Sequence, residues 1–235
     1  MEIKYILFDL DGTLLPMDQE VFVKAYVKGL AAKMAPLGFE PQKVVDGLWA
    51  GTGAMMKNVS GKRNDEIFWQ VFCSIVGQNA LNHMDTVDDF YANEFQQVRN
   101  VCGFTPKAAG VIRRAKELGY KVVLATNPLF PRAATESRVR WAGLRPEDFE
   151  LITVYDNSYH CKPNPAYYED VLSAIGAKGE ECAMIGNDAK EDMIAETLGM
   201  KVFLLTDCLI NSENRDISKY PQGSFIELME FMETI

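Results

Sequence analysis

Tyr5-Ile6-Leu7-Phe8-Asp9-Leu10-Asp11-Gly12-Thr13 is an apolar run that closes on two carboxylates two positions apart and then breaks at a glycine. Side chains at i and i+2 leave a strand on the same side, so Asp9 and Asp11 emerge together at the carboxyl end of the strand. In an open parallel α/β sheet that end is where ligands bind. Two carboxylates in this arrangement repel each other unless a cation or a shared proton relieves them. A strand running into an Asp-Gly turn accounts for Asp11 and Gly12, but gives no reason for Asp9 to close the apolar run.

Beyond this strand, residues 17–100 contain no convincing strand. Val21, Phe22, Ala25, Tyr26, Leu30 and Met34 recur at helical spacing after a capping Asp18, and Gly38 with Pro41 marks the stop. Further helical periodicity runs through Val44–Trp49, Ile67–Ile75 and Val87–Phe95. From Thr105 the texture changes to alternation: helix 106–118, strand 121–125, helix 132–141, strand 151–154, helix 165–175, strand 182–185, helix 189–198, strand 201–205 and a terminal helix 225–231. The fold class predicted is α/β: a Rossmann-like parallel sheet with helices on both faces, formed by residues 1–16 and 101–235, plus an inserted α-helical cap domain over 17–100. The two ends of the insertion must then lie close together near Asp9, which makes the cap a natural lid. Trp49, Trp69 and the phenylalanines nearby read as cap core. Segment 51–63, small and polar, reads either as an inter-helix loop or as a piece that dips toward the substrate.

Composition narrows the class. At 235 residues, 48% apolar and 24% charged, the chain has the make-up of a soluble globular protein. A net charge of −9 argues against nucleic-acid partners, since phosphate backbones demand a basic surface. No apolar run approaches the roughly 20 residues of a membrane span, and the start leads directly into a strand, so the expectation is a cytoplasmic protein without a membrane partner. Five scattered cysteines, with no Cys-x-x-Cys pair, indicate neither a disulfide framework nor a zinc cluster.

If the sheet is parallel, the carboxyl ends of its other strands should also carry chemistry. Strand 121–125 ends in Thr126-Asn127-Pro128, a hydroxyl followed by a turn whose N–H groups can hold an anion. After strand 151–154 comes Lys162, stiffened by Pro163 and Pro165, placed to sit on a phosphoryl group or to tie down a carboxylate. Strand 182–185 ends in Gly186-Asn187-Asp188 with Asp192 four residues on, a spacing that stacks two carboxylates on one face of a helix. Each of these has an ordinary structural explanation taken alone; four coincident accidents at one sheet edge do not.

Taken together these segments resemble the haloacid dehalogenase superfamily of hydrolases, in particular its phosphoglycolate phosphatase-like group with a C1-type helical cap. Asp9-Leu10-Asp11-Gly12-Thr13 resembles the first family motif, Thr126 the second, Lys162 with Pro163 the third, and Gly186-Asn187-Asp188 with Asp192 the fourth. The family often has aspartate directly after the glycine of its fourth motif, where this chain has Asn187; Asp188 is the better ligand for a hard cation because it carries a full charge.

From the carboxylates themselves a phosphoryl-transfer mechanism can be built, with Asp9 as nucleophile forming an aspartyl-phosphate and Asp11 as the acid and then the base. Lys162, Thr126 and the N–H groups near Asn127 would hold the phosphoryl oxygens. Mg²⁺ would be held by Asp9, Asp188 and, as the resemblance implies, the backbone carbonyl of Asp11, with Asp192 and Asn187 supporting that shell. The expected function is a Mg²⁺-dependent phosphatase acting on a small phosphorylated metabolite, as a monomer or homodimer. The alternatives are a mutase of the β-phosphoglucomutase type, sharing every core motif, and a non-catalytic phosphate sensor.

Overall fold

The computed structural model describes residues 2–235. Its strands are β1 (Tyr5–Phe8), β2 (Lys121–Leu124), β3 (Leu151–Ile152), β4 (Cys182–Gly186), β5 (Lys201–Leu205) and β6 (Gln222–Gly223). They form one sheet in the order β3-β2-β1-β4-β5-β6, every neighbour parallel. The order reverses between β1 and β4, the switch point at which open α/β sheets bind ligands.

Alternating side chains build a core on each face of the sheet. Ile6, Phe8, Val122, Leu124, Ala183, Ile185, Phe203 and Leu205 point to one side, and Leu7, Val123, Cys182, Met184, Val202 and Leu204 to the other. The first face is covered by α5 (Pro106–Glu117) through Val111 and Ile112 and by the C-terminal α8 (the last helix, Phe225–Thr234) through Leu228 and Met232. The second is covered by Tyr167, Tyr168 and Val171 of the helix Pro165–Ile175 and by the 3-10 turn Met193–Leu198.

Between β1 and α5 lie the helices α1 (Gln19–Met34), α2 (Pro41–Met56), α3 (Asn64–Val76) and α4 (Met84–Ala92), followed by a 3-10 stretch at Glu94–Val101. Asp18 caps α1 by accepting the Val21 N–H at 3.1 Å, and Gly38, at φ +89°, ends the short turn that follows. The entry and exit chains run side by side, Met17 bridging to Cys102 and Gly103 N–H donating to Pro16 O at 2.7 Å. This block also packs on α6 (Arg132–Trp141): the Phe95 and Trp141 rings lie 5.0 Å apart, and Trp141 Nε1 donates to Gln96 Oε1 at 3.1 Å. The helix Pro165–Ile175 is α7 in this numbering.

Three sequence expectations need correction. Residues 189–198 do not form one α-helix: Asp188 Oδ1 caps a single turn by accepting the N–H groups of Lys190 (2.7 Å) and Glu191 (2.9 Å), Asp192 N–H donates to Asp188 O at 3.0 Å, and the chain goes on as the 3-10 turn Met193–Leu198. The two carboxylates are committed to different partners, Asp192 to Lys162 and the Asp188 N–H, and Asp188 Oδ1 to the turn it caps, instead of standing free on one helix face. Segment 51–63 is helical as far as Met56 and an inter-helix loop only beyond it, and Gly51 serves close packing, since a Cβ there would lie 2.7 Å from the Phe68 ring. Trp49 is not cap core, being 56% exposed at a cavity mouth.

Candidate active site

The ladder continues one residue past β1, with Asp9 N–H donating to Ile185 O (2.9 Å) and Ala125 N–H to Phe8 O (2.8 Å), so three strand ends stand level. Asp9 consequently sits between Thr126 on one side and Gly186-Asn187 on the other. All three sequence segments open on one cavity of about 300 Å³, which also reaches Asp11, Asn127, Asp188, Glu191 and Asp192. The N–H groups of Leu10, Asp11 and Asn127 have no protein acceptor among the described residues, an arrangement suited to anionic oxygens.

Lys162 is fully buried and lies behind the cavity wall. Its Nζ donates to Asp9 Oδ1 at 3.0 Å and Asp192 Oδ1 at 2.6 Å, so it ties down carboxylates. Burial would lower its pKa, but Asp192 and Asp9 outweigh that and raise it well above the ordinary lysine value. Glycine at position 186 is what admits Asp192, since a Cβ there would collide with the Asp192 carboxylate. The other Asp192 oxygen accepts the Asp188 N–H at 2.9 Å, and burial raises the Asp192 pKa to about 6 against the pull of Lys162.

Asn187 is buried and committed: Oδ1 accepts from Thr13 Oγ1 at 2.9 Å, and Nδ2 donates to Cys208 O at 2.6 Å. Thr13 also reaches Asp9 Oδ2 at 3.2 Å. Gly12, at φ +90°, has no room for a Cβ beside the Asn187 amide, which explains the glycine after Asp11 on steric grounds as well as by its turn. Thr126 is buried on the cavity wall, where Thr153 and Tyr167 hold its carbonyl at 2.7 and 3.0 Å.

Three participants were given no role by the sequence. Arg138 of α6 is fully buried, stacks over the Phe130 ring at 4.4 Å and bonds Asp11 Oδ2 directly. Its neighbours Arg132 and Arg140 are exposed helix-face arginines, and nothing in the sequence separates it from them. Burial raises the Asp11 pKa, Arg138 opposes this, and the charge of Asp9 adds to it; Asp11 Oδ1 is left buried without a hydrogen-bond partner. Glu191 accepts from Asn127 Nδ2 at 3.0 Å, and burial pushes its carboxyl up to about 8. Thr13, the third, links the first and fourth segments as described above.

Five carboxyl groups thus surround one end of the cavity, with Lys162 and Arg138 as the buried cations beside them. Crowding and burial raise the pKa values of Asp11, Asp192 and Glu191, and a hard cation bound among them would favour their ionised forms. Among the described residues no three His, Cys, Asp or Glu side chains converge as a complete metal cage. Mg²⁺ rarely has one: it is held by one or two carboxylates, with water and substrate phosphate completing the shell. Asp188, whose second oxygen is free of the turn it caps, and Asp9 are the donors that fit.

An open 3-2-1-4-5-6 sheet with acidic residues at its switch point and helices inserted after the first strand defines a Rossmann-like α/β protein with its binding edge at that switch point. Residues 3–195 match the model of the haloacid dehalogenase-like hydrolases, and the chain belongs to that family. A pyrophosphatase, PpaX, of Halalkalibacterium halodurans is 23% identical over 201 residues, covering 86% of this chain and 82% of the relative. Among solved structures, a 2-haloacid dehalogenase from Pseudomonas syringae pv. Tomato DC3000 aligns with a TM-score of 0.63 at 19% identity, over 99% of each chain. The hydrolase YfnB from Bacillus subtilis, solved bound to magnesium, aligns with a TM-score of 0.56 at 17% identity over 99% of this chain and 100% of its own. No helix among the described residues is long and apolar enough to cross a membrane.

Proposed function

We propose that this hydrolase is a Mg²⁺-dependent phosphatase that cleaves a small phosphate monoester through an aspartyl-phosphate on Asp9. The observation that carries the reading is the contrast between the two carboxyls of one strand end: both oxygens of Asp9 accept hydrogen bonds, from Lys162 and Thr13, whereas Asp11, although paired with Arg138, has its pKa raised by burial and keeps one oxygen unpartnered. A nucleophile and a general acid need that difference. The magnesium-bound structure of YfnB and the pyrophosphatase relative support the cofactor and the phosphoryl chemistry.

Asp9 Oδ attacks phosphorus, and the bond from phosphorus to the leaving oxygen breaks as Asp11 delivers its proton to that oxygen. Asp11, now a carboxylate, takes a proton from water, whose oxygen attacks the acyl phosphate and returns Asp9 as a carboxylate with free phosphate. Lys162 fixes the rotamer of Asp9 for both steps, and Thr126 with the free N–H groups of Leu10, Asp11 and Asn127 takes the phosphoryl oxygens. Mg²⁺, held by Asp9, Asp188 and the Asp11 carbonyl with Asp192 and Asn187 behind them, would offset the charge of the phosphoryl group as it meets the carboxylate. Residues 17–100 act as the cap over a core of 1–16 and 101–235, and the partner is a soluble phosphorylated metabolite, not nucleic acid or membrane.

The test is phosphate release from acetyl phosphate and p-nitrophenyl phosphate with Mg²⁺ and with chelator. Release that needs the metal and falls at least a thousandfold in Asp9→Asn supports the reading. Metal-independent release, or full activity in Asp9→Asn, overturns it. Movement of phosphate between carbons of a sugar phosphate, without release, would instead identify a mutase.

A further inference from the structure

The cavity is longer than the catalytic end requires, and its far portion has a different chemistry. Beyond the carboxylates it runs into the helical block between α1, α2, α3 and α4, where Leu30, Met34, Leu48, Phe72 and Val87 close it. Each of these is at least nine-tenths buried. Among the described residues no lysine, arginine or histidine lines it. Of the three tyrosines in its wall, Tyr26 and Tyr91 bond each other at 3.0 Å, so their hydroxyls are already satisfied, which leaves Tyr155 and Thr52 among the polar side chains that the helices and their flanks add. Trp49 and Met56 continue the apolar lining to the surface at the mouth, where both are exposed.

Geometry fixes what occupies this space. In an in-line displacement at phosphorus the leaving oxygen lies opposite Asp9, so the organic part of the ester must extend away from the strand end and into the helical block. A second phosphate or a carboxylate placed there would be desolvated without a cation, and a sugar would bury hydroxyls with few partners; both are costly. From this we infer that the substrate is a monophosphate ester of an apolar, uncharged alcohol, alkyl or aryl in type, whose hydrocarbon part is held by the α1–α4 pocket. This rests on the phosphatase reading above and narrows its substrate class away from pyrophosphate, phosphoglycolate and sugar phosphates. At about 300 Å³ the cavity is at the lower end of small-molecule sites, which run from roughly 300 to 1,000 Å³, so a medium-length chain or single ring fits.

The experiment is a homologous series of ethyl, butyl, hexyl and octyl phosphate, with pyrophosphate, phosphoglycolate and glucose 6-phosphate beside it. Burial of each added methylene corresponds to about fourfold in kcat/KM while the chain still fits. Val27→Phe, which fills the pocket from α1, should lower the ratio of kcat/KM for hexyl phosphate to that for ethyl phosphate at least tenfold. Binding of the matching alkylphosphonates, followed by tryptophan fluorescence through Trp49 and Trp69, gives the same series without turnover. Release from ethyl phosphate with no chain-length gain, or a preference for pyrophosphate or the sugar phosphate, overturns the pocket assignment and leaves the phosphatase standing. Chain-length-dependent phosphonate binding with no release from any ester sinks the phosphatase reading and, with it, the claim that the apolar ligand is a substrate.

Discussion

Replacing Glu191 with glutamine should stabilise the protein at alkaline pH and change little near pH 4.5. The Glu191 carboxyl is pushed from an ordinary 4.5 up to about 8, first by burial and then by the charges of Asp192, Asp188 and Asp9, with Lys162 opposing. A carboxyl that holds its proton more tightly when folded gives the native state an extra bound proton between those two values. Unfolding free energy therefore falls as pH rises from about 4.5 to about 8 and stays low above that. At 1.36 kcal/mol per pH unit the full gap corresponds to about 5 kcal/mol. Glu191 lines the cavity and is partly exposed, so solvent screening reduces this to about 2–3 kcal/mol. Glutamine keeps the shape and the acceptor for Asn127 Nδ2, and it supplies a donor for Asn127 Oδ1, which is buried without a partner. Urea unfolding of both proteins between pH 4.5 and 8.5, in chelator so that no divalent cation stabilises the charged carboxylate, measures the difference. The gain of the variant should grow across that range. A difference that does not change with pH, or a loss of stability at pH 8.5, would refute the reasoning.

Two further outcomes follow from the same site. Arg138→Met removes the cation that opposes protonation of Asp11, so the Asp11 pKa should rise further and the alkaline limb of kcat, where the acid loses its proton, should move up by about one pH unit; a pH–rate profile with an unmoved or lowered limb would remove Asp11 from the acid role. Asn64→Ala deletes a fully buried amide that bonds His160 O and Cys161 Sγ at 3.3 Å and accepts from Asn58 at 3.0 Å; it should cost about 1–3 kcal/mol in urea unfolding and speed hydrogen exchange of the amides in 58–65.

The sheet and its reactive edge were legible because their signals are local. β1 announces itself by an apolar run and Asp9-x-Asp11, and the parallel frame then dictates where Thr126, Lys162 and the Gly186–Asp192 segment must lie. What was illegible depends on distant contacts. Arg138 is one of three arginines on α6, and only the packing of Phe22 and Phe130 over it makes it an interior group. Glu191 looks like a solvated turn residue until the chain folds it against Asn127. Trp49 is a large aromatic at helical spacing, the pattern of a core residue, yet the helix turns it toward a cavity mouth. The helix expected at 189–198 is present in reduced form, a turn capped by Asp188 followed by the 3-10 stretch Met193–Leu198, because Asp192 is drawn inward to Lys162.

The division of labour between Asp9 and Asp11 follows from where the strand ends in relation to the helical block. Both leave the same edge, and by charge alone they would be interchangeable. Asp9 points back into the sheet's own shell, where Lys162, Thr13 and the level ends of β2 and β4 surround it with donors. Asp11 lies two residues further out, where the chain has left the sheet and meets α6 and the inserted helices, an apolar surround with one guanidinium. Like groups in unlike surroundings acquire unlike proton affinities. The insertion point is therefore part of the chemistry on this reading: helices placed after the first strand cover Asp11 and leave Asp9 to the core. Exchanging the two environments would take more than exchanging two side chains, so Asp9→Asn and Asp11→Asn should fail at different steps, the first before any aspartyl-phosphate forms and the second with a slowly formed and slowly hydrolysed one, which quenched-flow trapping of acid-stable phosphoprotein separates.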